Sequence, residues 1–275
     1  MLAVDYVGAV AAGKTALVVS PTHLEGEWIT AEIRSELKRT GKVGQEDRVL
    51  PILENVNLTE AERSDAVNYQ PDQVLVFHQN AKGFTKGDRL AVGSAPIPVQ
   101  AAARFQVFRR SSLEVARGDV LRITRNGATA DGRHKLNNGA LFTVKNFDAE
   151  GNLVLTNGWT IGRDYGHLAH GYCVTSHSSQ GKTVDRVFIG QSSESLPASS
   201  REQFYVSVSR GRESAVVYTD DKQALMEAVE RADDRVTATE FVRQRVADMQ
   251  RRESAERRPD PQHRNEPERE ELIHG

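Results

Sequence analysis

Four short apolar runs constrain this chain most: Thr15–Ser20 (TALVVS), Tyr172–Thr175, Arg186–Ile189 and Ala215–Thr219. Their length and β-branched content read as strands. A helical stripe of Trp28, Ile29, Ile33 and Leu37 follows the first run and stops at Gly41, and a second, built on Phe204, Tyr205 and Val208 within 199–212, separates the last two. Strands that alternate with helices need cover on both faces of a parallel sheet, so the expected class is α/β.

Between these runs the texture changes. The run 72–78 (DQVLVFH) reads as a further strand, and 83–98 is rich in glycine and proline, as a connection would be. From about Phe105 to Thr160, runs such as VLRIT, ALFTV and NLVLT are separated by Asn126-Gly127, Asn138-Gly139, Glu150-Gly151 and Asn157-Gly158. That punctuation predicts a small antiparallel barrel of SH3-like size inserted into the α/β part. The expected division is 1–104 and 166–235 for the α/β domain, 105–165 for the barrel, and 236–275 for a helix (239 to about 250) passing into a charged, partly disordered tail.

The opening stretch GAVAAGKT spells G-x-x-x-x-G-K-T, the loop that wraps a phosphate chain. Such a loop needs a strand before it and a helix after it, so that its amides and the first helical turn face the phosphates together. Here the order is reversed. Leu2, Ala3, Tyr6, Val7 and Val10 form a helical stripe, Gly13 stands where a helix ends, and a strand follows until Pro21. Lys14 is therefore expected as an exposed lysine and not as a phosphate ligand.

The formal charge of -2 gives no overall basic field, so a nucleic-acid contact would have to be local. One cysteine, Cys173, excludes an intramolecular disulfide and fits a reducing cytoplasm. No apolar stretch approaches the ~20 residues of a membrane span. His167, His170 and His177 lie close together without a carboxylate or thiolate to complete a metal set.

Two segments carry chemistry. In YCVTSHSSQGKTVDRVFIG (172–190) a strand enters a loop of Ser, His, Gln and Gly, which can turn amides and hydroxyls toward a phosphate, with Gly181 allowing close approach. In REQFYVSVSRGRESAVVYTD (201–220) a helix ends in Ser209-Arg210-Gly211-Arg212 before a strand. Arginines there stand at the edge of the sheet, where a planar cation can reach a phosphate presented by a neighbouring domain.

These segments resemble motifs V and VI of superfamily 1 helicases, and the wording TSHSSQGKTVDRV with REQFYVSVSRGRE is similar to the helicase part of conjugative relaxases of the TraI/TrwC type. The resemblance runs from Leu17 to Asp220. It implies that the α/β part is a second RecA-like domain and that the barrel corresponds to the one in RecD-like helicases. It also implies that Arg210 is an arginine finger toward a γ-phosphate, with Arg34 of TAEIRSEL facing the same group. Gln180, Gly181 and Arg212 would lie on the nucleotide side. Thr22, His23, Thr175, Ser176 and His177 would contact single-stranded DNA. Thr183 stands where many relatives carry a glutamate, so the ribose contact assigned to that glutamate is not carried over.

A phosphate loop and acidic Mg²⁺ ligands are not evident in the sequence, so ATP and Mg²⁺ are expected to be shared with a separate RecA-like domain, upstream or in trans. The chain begins inside a helix, as though that domain were encoded elsewhere. Alone it is expected to be inactive on ATP. The alternatives are a stand-alone single-stranded DNA-binding module and a fragment of a RecD-like repair helicase.

Overall fold

The computed structural model of the protein describes residues 1–230; the expected helix at 239–250 and the charged tail lie outside them. The N-terminal stripe folds as α1 (Leu2–Ala11), which buries Ala3, Val7 and Ala9. Gly13 ends it at φ 75°, where the Gly13 and Lys14 amides return to the carbonyls of Val10 and Ala9 at 3.1 Å. A side chain at that φ would strain the turn. The reversed chain enters β1 (Ala16–Ser20), which is buried from Leu17 onward. Helix, glycine, strand is the order the opening string implied.

Helix α2 (His23–Arg39) starts at Thr22, whose Oγ1 accepts the Glu25 amide at 3.2 Å and so satisfies one of the free first-turn donors. Its apolar face packs Ile33 and Leu37 with Ala3, Val7, Val18 and Phe188. Ile33 is fully buried, which is worth roughly 1.5–3 kcal/mol.

At Arg48 the chain leaves this layer. Strand β2 (Arg48–Asn55), a four-residue helix α3 (Glu60–Arg63), β3 (Gln73–Phe77), β4 (Arg89–Ala91) and β5 (Phe105–Val115) follow. They form an antiparallel sheet in the order β2-β5-β3-β4. Pro51 lies in β2, an edge strand, where its missing N–H breaks no ladder. The strand expected at 72–78 is present as β3 and fully buried, but it pairs antiparallel with β4 and β5. Antiparallel pairing therefore begins at Arg48 and not at 105.

Next come β6 (Val120–Ile123), β7 (Gly127–Ala128), β8 (Lys135–Leu136), β9 (Leu141–Phe147), β10 (Leu153–Leu155), β11 (Thr160–Ile161) and β12 (Leu168–His170). Five of them make a sheet in the order β11-β10-β9-β6-β12, while β7 and β8 form a separate hairpin. The expected closed barrel is corrected here to an open sheet: β11 and β12 are its two edges and do not pair with each other. They are two and three residues long. The sheet buries Leu121, Ile123, Leu153, Leu155 and Ile161 against Leu50 and Ile52 of β2, so the two antiparallel sheets share one core.

The chain then returns as β13 (Cys173–Thr175), β14 (Val184–Gly190), α4 (Arg201–Val208), β15 (Gly211–Tyr218) and α5 (Lys222–Glu230). All pairings in the sheet β13-β1-β14-β15 are parallel. Alternation along β1 and β14 sends Val18 and Phe188 toward α1 and α2, and Leu17, Val19, Val187 and Ile189 toward Val208 of α4. Both faces are thus covered, as a parallel sheet demands.

Candidate functional site

Three strand starts meet at the N-terminal edge of the parallel sheet. Asp185 ties them together. Its Oδ2 accepts the Thr15 amide at 2.8 Å and the Thr15 hydroxyl at 2.7 Å, and its Oδ1 accepts Arg212 Nη2 at 2.6 Å. The Asp185 amide donates back to Thr15 Oγ1 at 2.9 Å. Hydrogen bonds from the Thr15 hydroxyl and amide, with Arg212 adding, hold the Asp185 carboxyl down to about 2. Lys14, expected as an exposed lysine, is half-buried, and its Nζ pairs with Glu213 at 2.6 Å. The Lys-Thr of the opening string is therefore engaged within the protein, and the Thr15 amide a phosphate would need is already bonded.

Arg210 and Arg212 have different surroundings. Arg212 faces Asp185, and Arg186 approaches Glu213 at 4.0 Å. Arg210 donates from Nε to the Val206 carbonyl at 2.8 Å, from Nη2 to Ser209 Oγ at 2.8 Å, and from Nη1 to the Lys182 carbonyl at 3.4 Å. These acceptors are neutral. No acidic side chain pairs with Arg210 among the described residues, so its charge is left uncompensated at the sheet edge. Lys182, beside it, has its pKa lowered by burial and by the charge of Arg122.

The segment expected to contact DNA leaves the opposite, C-terminal edge. Thr175 ends β13, and its hydroxyl donates to Ser178 Oγ at 3.1 Å. His177 is exposed at the start of a short 3-10 turn. Ser176 is buried and accepts the Ser207 hydroxyl of α4 at 3.0 Å, which corrects its expected role: it joins the two motif segments and does not face outward. Pro21, Thr22 and His23 leave the same edge from β1; Thr22 caps α2 and His23 is exposed. Gln180 and Gly181, both exposed, lie on the link back to β14, with Gly181 at φ 77°. The sequence-matched residues thus divide between two edges, separated by the length of a five-residue strand, about 16 Å.

A crevice of about 430 Å³ opens at the C-terminal edge beside Trp28, which is 54% exposed. Glu25, Glu32, Glu194 and Asp220 line it, so a phosphate backbone is disfavoured there despite the available aromatic ring.

Arg34 belongs to neither edge. Its Nε lies 3.0 Å from both Asp119 carboxylate oxygens, and its Nη2 reaches Asp47 as well as Asp119. Burial would lower its pKa, but Asp119 and then Asp47 raise it. The expected γ-phosphate contact is corrected: the guanidinium is occupied by carboxylates and fastens α2 to the turn between β5 and β6.

Three positions escaped sequence reading. Asp185 follows the Gly-Lys-Thr-Val of the 172–190 segment, and only its pairing with Thr15, 170 positions earlier, reveals it. Buried Glu25 accepts Ser20 Oγ at 2.8 Å and the Ser192 amide at 2.6 Å, which shapes the turn carrying Thr22 and His23. Asp119 is fully buried and accepts from Arg34, the Ala116 amide and the Tyr172 hydroxyl. Among the described residues no cluster of three His, Cys, Asp or Glu side chains could hold a metal, and no helix is long and apolar enough to cross a membrane.

Residues 170–218 match the UvrD-like helicase C-terminal domain, a span that takes in β13, β14, α4 and β15 but not β1 with Lys14, Thr15, Thr22 and His23. Over 255 residues the chain is 25% identical to the multifunctional conjugation protein TraI of Escherichia coli, covering 85% of this chain and 14% of that relative. A second TraI, from strain K12, is 24% identical over 258 residues, again covering 85% and 14%. Among solved structures, Pif1 helicase from Bacteroides in complex with ADP-AlF3 and ssDNA aligns at a TM-score of 0.42 and 15% identity, over 88% of this chain and 46% of that one. The domain match and the TraI relatives agree with the motif wording: this chain is similar to the C-terminal helicase part of a relaxase, and it spans about a seventh of the length of those relatives.

Proposed function

We propose that this chain is the second half of an ATP-dependent DNA helicase motor of the conjugative relaxase type, acting in DNA transfer. Arg210 serves as an arginine finger for a nucleotide held by another RecA-like domain. The observation that carries this reading is the contrast among the three arginines at the N-terminal edge: Arg186 and Arg212 have carboxylate partners, and Arg210 has none among the described residues. A guanidinium held by neutral acceptors keeps its full charge for an anion and can exchange carbonyl bonds for phosphate oxygens.

ATP with Mg²⁺ supplies the phosphoryl group whose transfer drives the motor. In this chain Arg210 stabilises charge on the transferring group, and Gly181 leaves room for its approach. A finger of this kind contributes on the order of 10³–10⁵ in rate. The metal's carboxylate ligands come from the partner domain in this reading. Thr175, His177, Thr22 and His23 at the opposite edge face single-stranded DNA, so one rigid sheet connects the two ligands. The antiparallel sheets from Arg48 to His170 are an insertion in this half.

The test is ATP turnover in the presence of single-stranded DNA, measured for the chain alone and for the chain joined to a domain bearing a phosphate loop. The reading predicts turnover only in the joined form. Turnover by the isolated chain that disappears in Lys14→Ala would overturn it.

A further inference from the structure

We infer that Asp185 is the positioning residue of the Arg210 turn, acting through a bulge at the start of β15. This rests on the reading of Arg210 given above. In the β14-β15 ladder Val184 pairs with Gly211 and Arg186 with Ser214, so Arg212 and Glu213 together stand opposite the single residue Asp185. Such an insertion re-aims the side chains around it, and bulges recur next to active sites for that reason.

Each residue of the bulge is fastened. Arg212 is bound by Asp185, and Glu213 by Lys14. The Arg210 carbonyl accepts the Val184 amide at 3.0 Å. Gly211 is required by the close approach of the turn to its own strand, because a β-carbon there would collide with the Ser214 carbonyl. Asp185 closes the arrangement by holding Thr15 just before β1, so the bulge is referenced to the next interior strand of the sheet and not only to its neighbour β14. The last arginine of the Ser-Arg-Gly-Arg run is thus consumed as an anchor by a carboxylate, while the first rests half-buried on the neutral oxygens of Val206, Lys182 and Ser209.

The division of labour has a chemical logic. A finger must reach the same point on every cycle, and a displacement of about 1 Å at a reacting group can cost on the order of 10²-fold in rate. Among the described residues Arg210 has no carboxylate partner, and its guanidinium rests on the Val206 and Lys182 carbonyls and the Ser209 hydroxyl, so its accuracy depends on the backbone that carries those acceptors. Thr15, Lys14 and Asp185 supply it. The Gly-Lys-Thr string then has a use unrelated to cradling phosphate: it anchors the turn that carries the finger.

The experiment has two arms. In the chain itself, amide hydrogen exchange is compared between wild type and Asp185→Asn, with Thr15→Val as a second variant that removes the hydroxyl's bond to the carboxylate and its bond from the Asp185 amide and leaves the carboxylate intact. The inference expects faster exchange over 209–214 in both, and unchanged protection in α2 and β13. In the chain joined to a phosphate-loop domain, Asp185→Asn is expected to lower kcat on the order of tenfold to a hundredfold with KM for ATP unchanged. It should cause no further loss in an Arg210→Ala background, whereas a merely structural defect would multiply with that substitution. Unchanged exchange over 209–214, or multiplying losses in the double variant, would overturn the inference. If Arg210→Ala alone leaves turnover at the wild-type level, the finger reading fails, and the exchange arm still decides whether Asp185 holds the turn.

Discussion

Arg34 Nε sits 3.0 Å from each carboxylate oxygen of Asp119, a residue with no exposed surface and 85 positions further along the chain. This pair joins the parallel layer to the antiparallel excursion, with Asp47 and the Tyr172 hydroxyl completing the contact. Removing the guanidinium leaves a buried carboxylate without its counter-charge.

Arg34→Ala is therefore expected to destabilise the fold by about 3–5 kcal/mol, the usual cost of breaking one side of a buried pair. Urea unfolding followed by circular dichroism measures it. A variant as stable as wild type would return Arg34 to the role its motif position suggested.

Lys14 behaves differently. Its side chain is 38% exposed and its partner Glu213 42% exposed, so solvent screens the pair. Lys14→Ala should cost no more than about 1 kcal/mol in the same unfolding measurement. It should leave nucleotide affinity of the joined form unchanged by titration calorimetry, which separates it from a phosphate-loop lysine.

His167 gives stability a pH dependence. It is buried, and burial first, then the charges of Arg125 and Arg89, push its pKa to about 4 from an ordinary 6.5. The folded value lies below the unfolded one, so between them the unfolded chain binds more protons. The contribution is complete above about pH 6.5 and is lost as pH falls toward about 4, amounting to up to about 3 kcal/mol. Unfolding midpoints at pH 7.5 and 5.0 should differ less in His167→Gln than in wild type. Equal pH dependence in the two would remove His167 as the cause.

The parallel layer was legible because its signals are local. The stripe from Leu2 to Val10, Gly13 as a stop, and the runs around Val18, Val187 and Val216 each announce an element within a few residues. The antiparallel part was legible in texture only. Asn-Gly and Glu-Gly turns marked its hairpins, but β2 was hidden by Pro51, tolerable only because β2 is an edge strand. Sheet closure was not legible, since it depends on which strands pair across the sheet, a long-range property that turn wording does not carry. Arg210 and His177 could be named from motif wording. Arg34 could be named but not understood, because Asp119 is distant in sequence. Asp185 was missed for the same reason: its meaning lies in Thr15 and in a bulge that no periodicity announces.

The most direct measurement is DNA-stimulated ATP turnover of the joined form carrying Arg210→Ala, with ATP affinity determined in parallel. A finger that acts on the transferring phosphoryl group predicts a fall of about 10³-fold or more in kcat with ATP still bound. Turnover equal to wild type, or loss of ATP binding with kcat intact at saturation, would contradict the central claim that this arginine completes a nucleotide site supplied by another domain.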